Sequence, residues 1–279
     1  MIGPDDERAR PATGPAFADA VTFAFADPGA EAYGLARLGL SGDRSASALA
    51  VLFEGREPVA AIARGGIGAG DGADFAALEA AGLRATVEEP LRRWTVALDG
   101  AFELRFEAAS PPAEVEAGGM AGYEQLCRVA GTVRGGRSVD CLGQRGHTWG
   151  EPDWDRIALT RSVAAWLDGD TGVTLTGVRP AGVEDQAGEA VSAALLDRDG
   201  GRPVEEARLS TTYDGDGRQR RVGLELWLGG EDDYARRAAG EVLCGSTLEL
   251  GQLRLDCAFL RWHMDGRAGV GRYDVVRHA

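Results

Sequence analysis

Apolar and polar residues alternate with a period of two along much of the chain, as in strands with one buried face. Trp94-Val96-Leu98 and Phe102-Leu104-Phe106 show it most clearly. An odd loop around Asp99-Gly100-Ala101 aligns Leu98 with Phe102, Val96 with Leu104 and Trp94 with Phe106, so every inward position is apolar. Burying these side chains contributes on the order of 10 kcal/mol before conformational entropy is counted. The β pattern starts at Ala48, where Ala48 to Phe53 and Val59 to Ala63 flank Glu54-Gly55-Arg56-Glu57 and predict another hairpin. Past Trp154, strands are predicted over Thr171 to Val178, Ala190 to Leu196, Glu206 to Tyr213, Val222 to Leu228, Leu243 to Leu250 and Leu253 to Trp262. Turn signals at Asp199-Gly200-Gly201, Asp214-Gly215-Asp216-Gly217 and Gly251 separate most of them. This spacing predicts an all-β chain of barrels or sandwiches rather than βαβ units. Only Glu231 to Ala239 and Phe75 to Ala81 carry short helical patterns, and residues 1–16, charged and proline-bearing, are expected to form a loose arm.

One stretch departs from the apolar strand pattern. Between Gly122 and Trp154, the polar residues Glu124, Gln125, Arg128, Arg145 and His147 interrupt apolar segments. Val129 to Val133 and Ser138 to Leu142 read as a hairpin closed near Gly135-Gly136, glycines able to adopt positive φ. Arg145, His147 and Trp149 fall on alternate residues, so an extended backbone aims them at one face. A two-residue loop sets Glu124 opposite His147; an odd loop, which better matches Val133 with Val139, brings up Tyr123 and Gln125. Such a cluster is either a satisfied structural network or the polar part of a site.

Composition narrows the chemistry. The chain has 279 residues, 44% hydrophobic, with no lysine and no asparagine. Without lysine there is neither a phosphate-loop lysine nor a Schiff-base lysine. A net charge of −14 opposes binding to nucleic acid or an anionic membrane, so the expected partner is a neutral or apolar small molecule. The first residues have no apolar core of a signal peptide, and no run of about eighteen apolar residues would span a membrane. Cys127, Cys141, Cys244 and Cys257 lack C-x-x-C spacing and are expected as reduced core residues of a cytoplasmic protein. Gly65 to Gly72 lacks the frame of a phosphate loop and is expected to be a plain loop. Asp214-Gly-Asp216 lacks the other ligands of a calcium loop, and Glu231-Asp232-Asp233 lacks the third acid of a metal-dependent terpene synthase motif. The histidines are scattered, so no metal or other cofactor is expected, and no G-x-S-x-G elbow is present. His263 shares a predicted strand face with Cys257, Phe259 and Arg261.

GYEQLCRVAGTV followed by GQRGHTWGEPDW resembles the signature of the lipocalin-like (calycin) superfamily that includes hydroxyneurosporene synthase, a carotenoid 1,2-hydratase, and related cyclases and Diels–Alderases. The likeness runs from about Leu83 to Trp154 and includes the upstream Pro90-Leu91-x-x-Trp94. It implies two consecutive lipocalin-like antiparallel β-barrels with few short helices and a cleft between them. On this reading the first domain covers residues 1–150 and the second 151–279. The acidic residue that usually precedes the motif histidine is Gly146 here, and Thr148 stands for the following serine. The family's downstream Tyr-x-Asp has its nearest counterpart in Trp166-Leu167-Asp168.

Adding water to an alkene, or cyclising it, needs an acid that protonates carbon and an aromatic, dry pocket for the cation. His147, Glu124, Asp168 and Asp153 are the candidate acids. Trp94, Trp149, Trp154 and Trp166 are candidate π faces, although Trp94 also fits plain core. Tyr123, Gln125 and Arg145 would orient the acid or hold a polar head group. The expected function is hydration or cyclisation of an isoprenoid- or polyene-like molecule. A pericyclase or isomerase needs only a shaped pocket and one hydrogen-bond donor, and a non-catalytic carrier only the pocket.

Overall fold

The computed structural model describes the backbone of residues 2–70, 72–168, 171–185, 188–229 and 234–279, with their side chains except that of Asp168. Twenty strands in two antiparallel sheets make up nearly all of it. The first sheet holds β1 (Ala18–Asp27), β2 (Ala32–Ser41), β3 (Ser45–Glu54), β4 (Glu57–Gly68), β5 (Ala77–Ala80), β6 (Leu83–Glu89), β7 (Arg93–Leu98), β8 (Phe102–Ala108), β9 (Ala113–Ala117), β10 (Met120–Val133) and β11 (Arg137–Gly150). Its order is β4-β3-β2-β1-β11-β10-β8-β7-β6-β5, with β9 also on β10. The second holds β12 (Ile157–Asp168), β13 (Thr171–Pro180), β14 (Ala190–Asp197), β15 (Gly200–Pro203), β16 (Glu206–Tyr213), β17 (Gln219–Trp227), β18 (Arg236–Leu250), β19 (Leu253–Met264) and β20 (Arg267–His278). Its order is β15-β14-β13-β12-β20-β19-β18-β17-β16. The fold is all-β, two consecutive lipocalin-like barrels with a few short 3-10 turns.

Each barrel has its own core. The first is built around Phe23, Phe25, Trp94 and Phe106, the second around Val163, Leu224, Trp262 and Tyr273. A third apolar cluster, including Leu35, Val51, Leu126, Trp166 and Phe259, lies between the two sheets. The β7–β8 pairing has the expected register, with Leu98 opposite Phe102, Val96 opposite Leu104 and Trp94 opposite Phe106. The cysteines are free; Cys127, Cys244 and Cys257 are buried and Cys141 is half-buried.

Several expectations are corrected. Residues 1–16 are not a loose arm: Pro4–Glu7 form a 3-10 turn, and Glu7 is only 3% exposed against the end of the first barrel. β1 and β2 precede the point where alternation becomes visible, because both are buried on nearly every residue. A strand covered on both faces has no polar face to mark its period. Much of the glycine-rich piece after Gly65 is the end of β4, paired as Ser45 with Gly68. Ala77–Ala80 form a strand rather than a helix, with Leu78 and Ala80 turned inward. Arg236 to Ala239 likewise belong to β18, while residues 231–233 lie outside the described residues.

Candidate functional site

The β10–β11 hairpin closes through Arg134–Gly136, with Gly135 at φ 75. The loop is therefore odd, and it sets Tyr123 opposite His147 and Gln125 opposite Arg145. Val133 pairs with Arg137, and Val139 pairs with Gly131 rather than with Val133. Alternation then sends neighbouring residues to opposite sides of one strand pair. Tyr123, Gln125, Arg145, His147 and Trp149 face the first barrel; Glu124, Leu126 and Gln144 face the second sheet.

On the barrel side the polar groups are closely packed. Arg145 is fully buried, and its Nη2 donates to Glu7 Oε2 at 2.7 Å. Its guanidinium lies 4.7 Å from the Tyr123 ring centroid and 5.1 Å from that of Trp94. Trp94 Nε1 donates to the same Glu7 oxygen at 3.2 Å. His147 is 0% exposed and both ring nitrogens are engaged, Nδ1 with the Asp6 carbonyl at 2.9 Å and Nε2 with Asp19 Oδ1 at 2.7 Å. A carbonyl only accepts, so Nδ1 is the ring nitrogen that donates to Asp6. Phe75, Tyr123 and Trp149 meet the imidazole edge to face at 5.1–5.7 Å. Burial pushes the Tyr123 phenol up to about 12, against the pull of Arg145. Gln125 donates to the carbonyls of Leu91 and Ser110.

The opposite side is differently built. Glu124 is buried against the second sheet and accepts from Gln144 Nε2. Gln144 Oε1 accepts from Trp166 Nε1 at 3.0 Å, so the three side chains form one hydrogen-bonded line across the interface. Arg272 reaches within 4.0 Å of Glu124 and is bonded to Asp274. Loss of hydration raises the Glu124 carboxyl from 4.5 to about 7, with Arg272 and Arg145 only partly opposing this. Burial raises Asp274 too. Glycine at 146 makes room for the acid, since a Cβ there would lie 2.9 Å from Glu124 Oε1.

A cleft of about 830 Å³ between the sheets is lined by Tyr33, Leu142, Leu167, Leu243 and Val270, and the fully buried Trp166 lies in its wall. Asp27, Arg56, Asp140 and Arg261 border it. Glu124 stands one layer behind this wall. Trp154 belongs to neither side: it packs on Ala117, Ile157 and Val178, and its carbonyl bonds His278 Nε2 at 2.8 Å. The side chain of Asp168 lies outside the described residues. Asp153, at the start of the Trp154 turn, is exposed. Sequence reading missed Glu7 and Asp19, the carboxylates that meet Arg145 and His147, and it missed Arg272 and Asp274. No local pattern marks Glu7, Asp19 or Arg272, because the partners they meet lie over a hundred residues away, and Asp274 enters through Arg272, two residues before it. Among the described residues no group of three or more His, Cys, Asp or Glu is placed to hold a metal ion, and no helix is long and apolar enough to cross a membrane.

A family model described as a domain of unknown function, DUF7064, matches residues 3–279. The chain belongs to the DUF7064 family. No curated protein matches it. Among solved structures, a candidate AttH of Nitrosomonas europaea is similar at 14% identity, over 94% of this chain and 92% of that one, with a TM-score of 0.65. Kievitone hydratase of Nectria haematococca is similar at 10% identity, over 93% and 88%, with a TM-score of 0.65. CghA, solved with Sch210972, is similar at 12% identity, over 95% and 89%, with a TM-score of 0.58. At such identities the DUF7064 chain shares a fold with these proteins, and its chemistry has to be argued from its own residues.

Proposed function

We propose that this DUF7064 protein is an enzyme that binds a largely apolar, isoprenoid- or polyene-like molecule in the cleft between its two barrels and hydrates or cyclises it by acid catalysis. We also propose that residues 1–150 and 151–279 act as the two domains that enclose this cleft. The observation that carries the reading is a buried acid, Glu124, raised to about 7 and tied through Gln144 to Trp166 in the cleft wall. A carboxyl with that value is part protonated near neutrality, as a general acid must be. The hydratase named among the structural neighbours lends the reading weight by analogy alone.

In this mechanism the substrate turns Trp166 and Gln144 aside and brings an alkene carbon to the Glu124 carboxyl. The O–H proton passes to that carbon, leaving a carbocation and a carboxylate. The face of Trp166 stabilises the cation and Arg272 the carboxylate. Water, or a second alkene of the same molecule, then forms the new C–O or C–C bond, and a proton returns to Glu124. Exchange of Glu124 for Gln is expected to lower turnover at least about a hundredfold, and solvent deuterium should appear in the wild-type product. Activity should decline as pH rises through about 7, where the acid form is lost. Full activity in Glu124→Gln sinks this reading.

A pericyclase is the second reading, and one observation favours it: the cleft wall contains Trp166, Tyr33 and Leu142, whereas Glu124 stands behind it. Here Glu124 would only hold the wall in shape. Product free of solvent deuterium, and turnover independent of pH near 7, would select it.

A further inference from the structure

We propose that the Arg145 end of the first barrel is a second binding site, for an apolar monocarboxylic acid, and that Glu7 occupies it from the segment before β1. Three donors converge on the Glu7 carboxylate: Arg145 Nη2 at 2.7 Å, Trp94 Nε1 at 3.2 Å and the Leu91 N–H at 2.9 Å. That is the set a bound carboxylate requires. The site offers more than Glu7 uses. Arg145 Nε and Nη1 are buried without a hydrogen-bond partner among the described residues, and so is Gln125 Oε1 on the residue paired with Arg145. A carboxylate not tethered to the backbone can meet these leftover donors at an angle that the Glu7 side chain does not reach.

The walls around the guanidinium are the rings of Trp94 and Tyr123, with Phe75 beyond them against His147. They suit an apolar body attached to the carboxylate. A groove of about 660 Å³ outside, lined by Pro4, Leu91, Ser110 and Gln125, leads to this point, and Pro4 belongs to the segment that carries Glu7. Apolar burial hardly anchors that segment, because Pro4, Asp5 and Arg8 are exposed. Polar contacts hold it: Asp6 O to His147 and Tyr123, and the Arg10 N–H to Asp19. A segment held in this way opens more easily than the strands beneath it. Displacing Glu7 therefore joins the groove to the Arg145 site.

Octanoate, with octanol as the neutral control, tests this by calorimetry on the full chain. Glu7→Gln keeps the shape and removes the competing charge, so it should bind octanoate at least about tenfold more tightly than wild type. The double variant Glu7→Gln with Arg145→Met, which leaves no buried charge unpaired, should show no saturable binding, while near-UV circular dichroism confirms its fold. In the wild type, which needs no substitution, octanoate but not octanol should accelerate tryptic cleavage after Arg8, and saturably. Equal binding of octanol and octanoate overturns the proposal. So does octanoate binding that survives the double variant, or wild-type cleavage that octanoate leaves unchanged. Failure here leaves the inter-barrel reading untouched, because octanoate binding at Arg145 involves neither Glu124 nor Trp166.

Discussion

The two faces of the β10–β11 hairpin carry polar residues of similar kind to opposite ends. On the barrel face, Arg145 and His147 each meet a carboxylate, Glu7 and Asp19, at 2.7 Å, and aromatic rings cover the remaining surface. On the inter-barrel face, Glu124 accepts from one amide, Arg272 stands 4.0 Å away and is shared with Asp274, Arg145 and Arg37 act from farther off, and its carboxyl is raised to about 7. Neutralised charge leaves the barrel face no group free to act as an acid, whereas an acid without a full counter-charge stays reactive. The difference arises from position along one strand pair: neighbours in sequence, such as Glu124 and Gln125, end in environments that differ in charge balance and in access to a cavity.

Breaking the barrel face should cost the most stability. Arg145→Met leaves Glu7 buried without its cation and is expected to lower unfolding free energy by about 3–5 kcal/mol, measured by denaturant titration. Adding Glu7→Leu should recover most of that loss, which separates an unpaired charge from lost packing.

The inter-barrel face should show itself in pH dependence. Folded Glu124 keeps its proton up to about 7 and the unfolded chain releases it near 4.5, so the folded state binds more protons between these values. The contribution of Glu124 to stability is then fully present below 4.5 and is lost as pH rises through about 7, roughly 3 kcal/mol in all. Glu124→Gln should flatten much of this slope, with Asp274, raised in the same direction, accounting for the rest. An unchanged slope in Glu124→Gln would show that the acid is not desolvated.

Smaller effects test the edge of the barrel face. Asp19→Asn should cost about 1–3 kcal/mol, since the amide meets His147 without its charge. Arg10→Ala, which removes a guanidinium 4.0 Å from the Trp149 ring, should cost at most about 1 kcal/mol.

The fold was largely legible where one face of a strand is wet. The β7–β8 register follows from six apolar positions and a short loop. β1 and β2 were not legible, because burial on both sides erases the alternation that marks a strand. Polar positions on β10 and β11 were visible as anomalies, yet their allocation to two sides depended on an odd or even loop, which two glycines alone do not decide. Glu7 was hidden by its neighbours: in a charged, proline-bearing stretch nothing distinguishes the one carboxylate that enters the barrel.

A neutral apolar ligand should enter between the barrels and not into the first barrel. Energy transfer from tryptophan to all-trans-retinol tests it in the wild type, in Trp166→Phe and in Trp94→Phe. Saturable transfer should drop sharply in Trp166→Phe and persist in Trp94→Phe. Loss of transfer in Trp94→Phe, with Trp166→Phe behaving as wild type, would instead put the ligand in the first barrel.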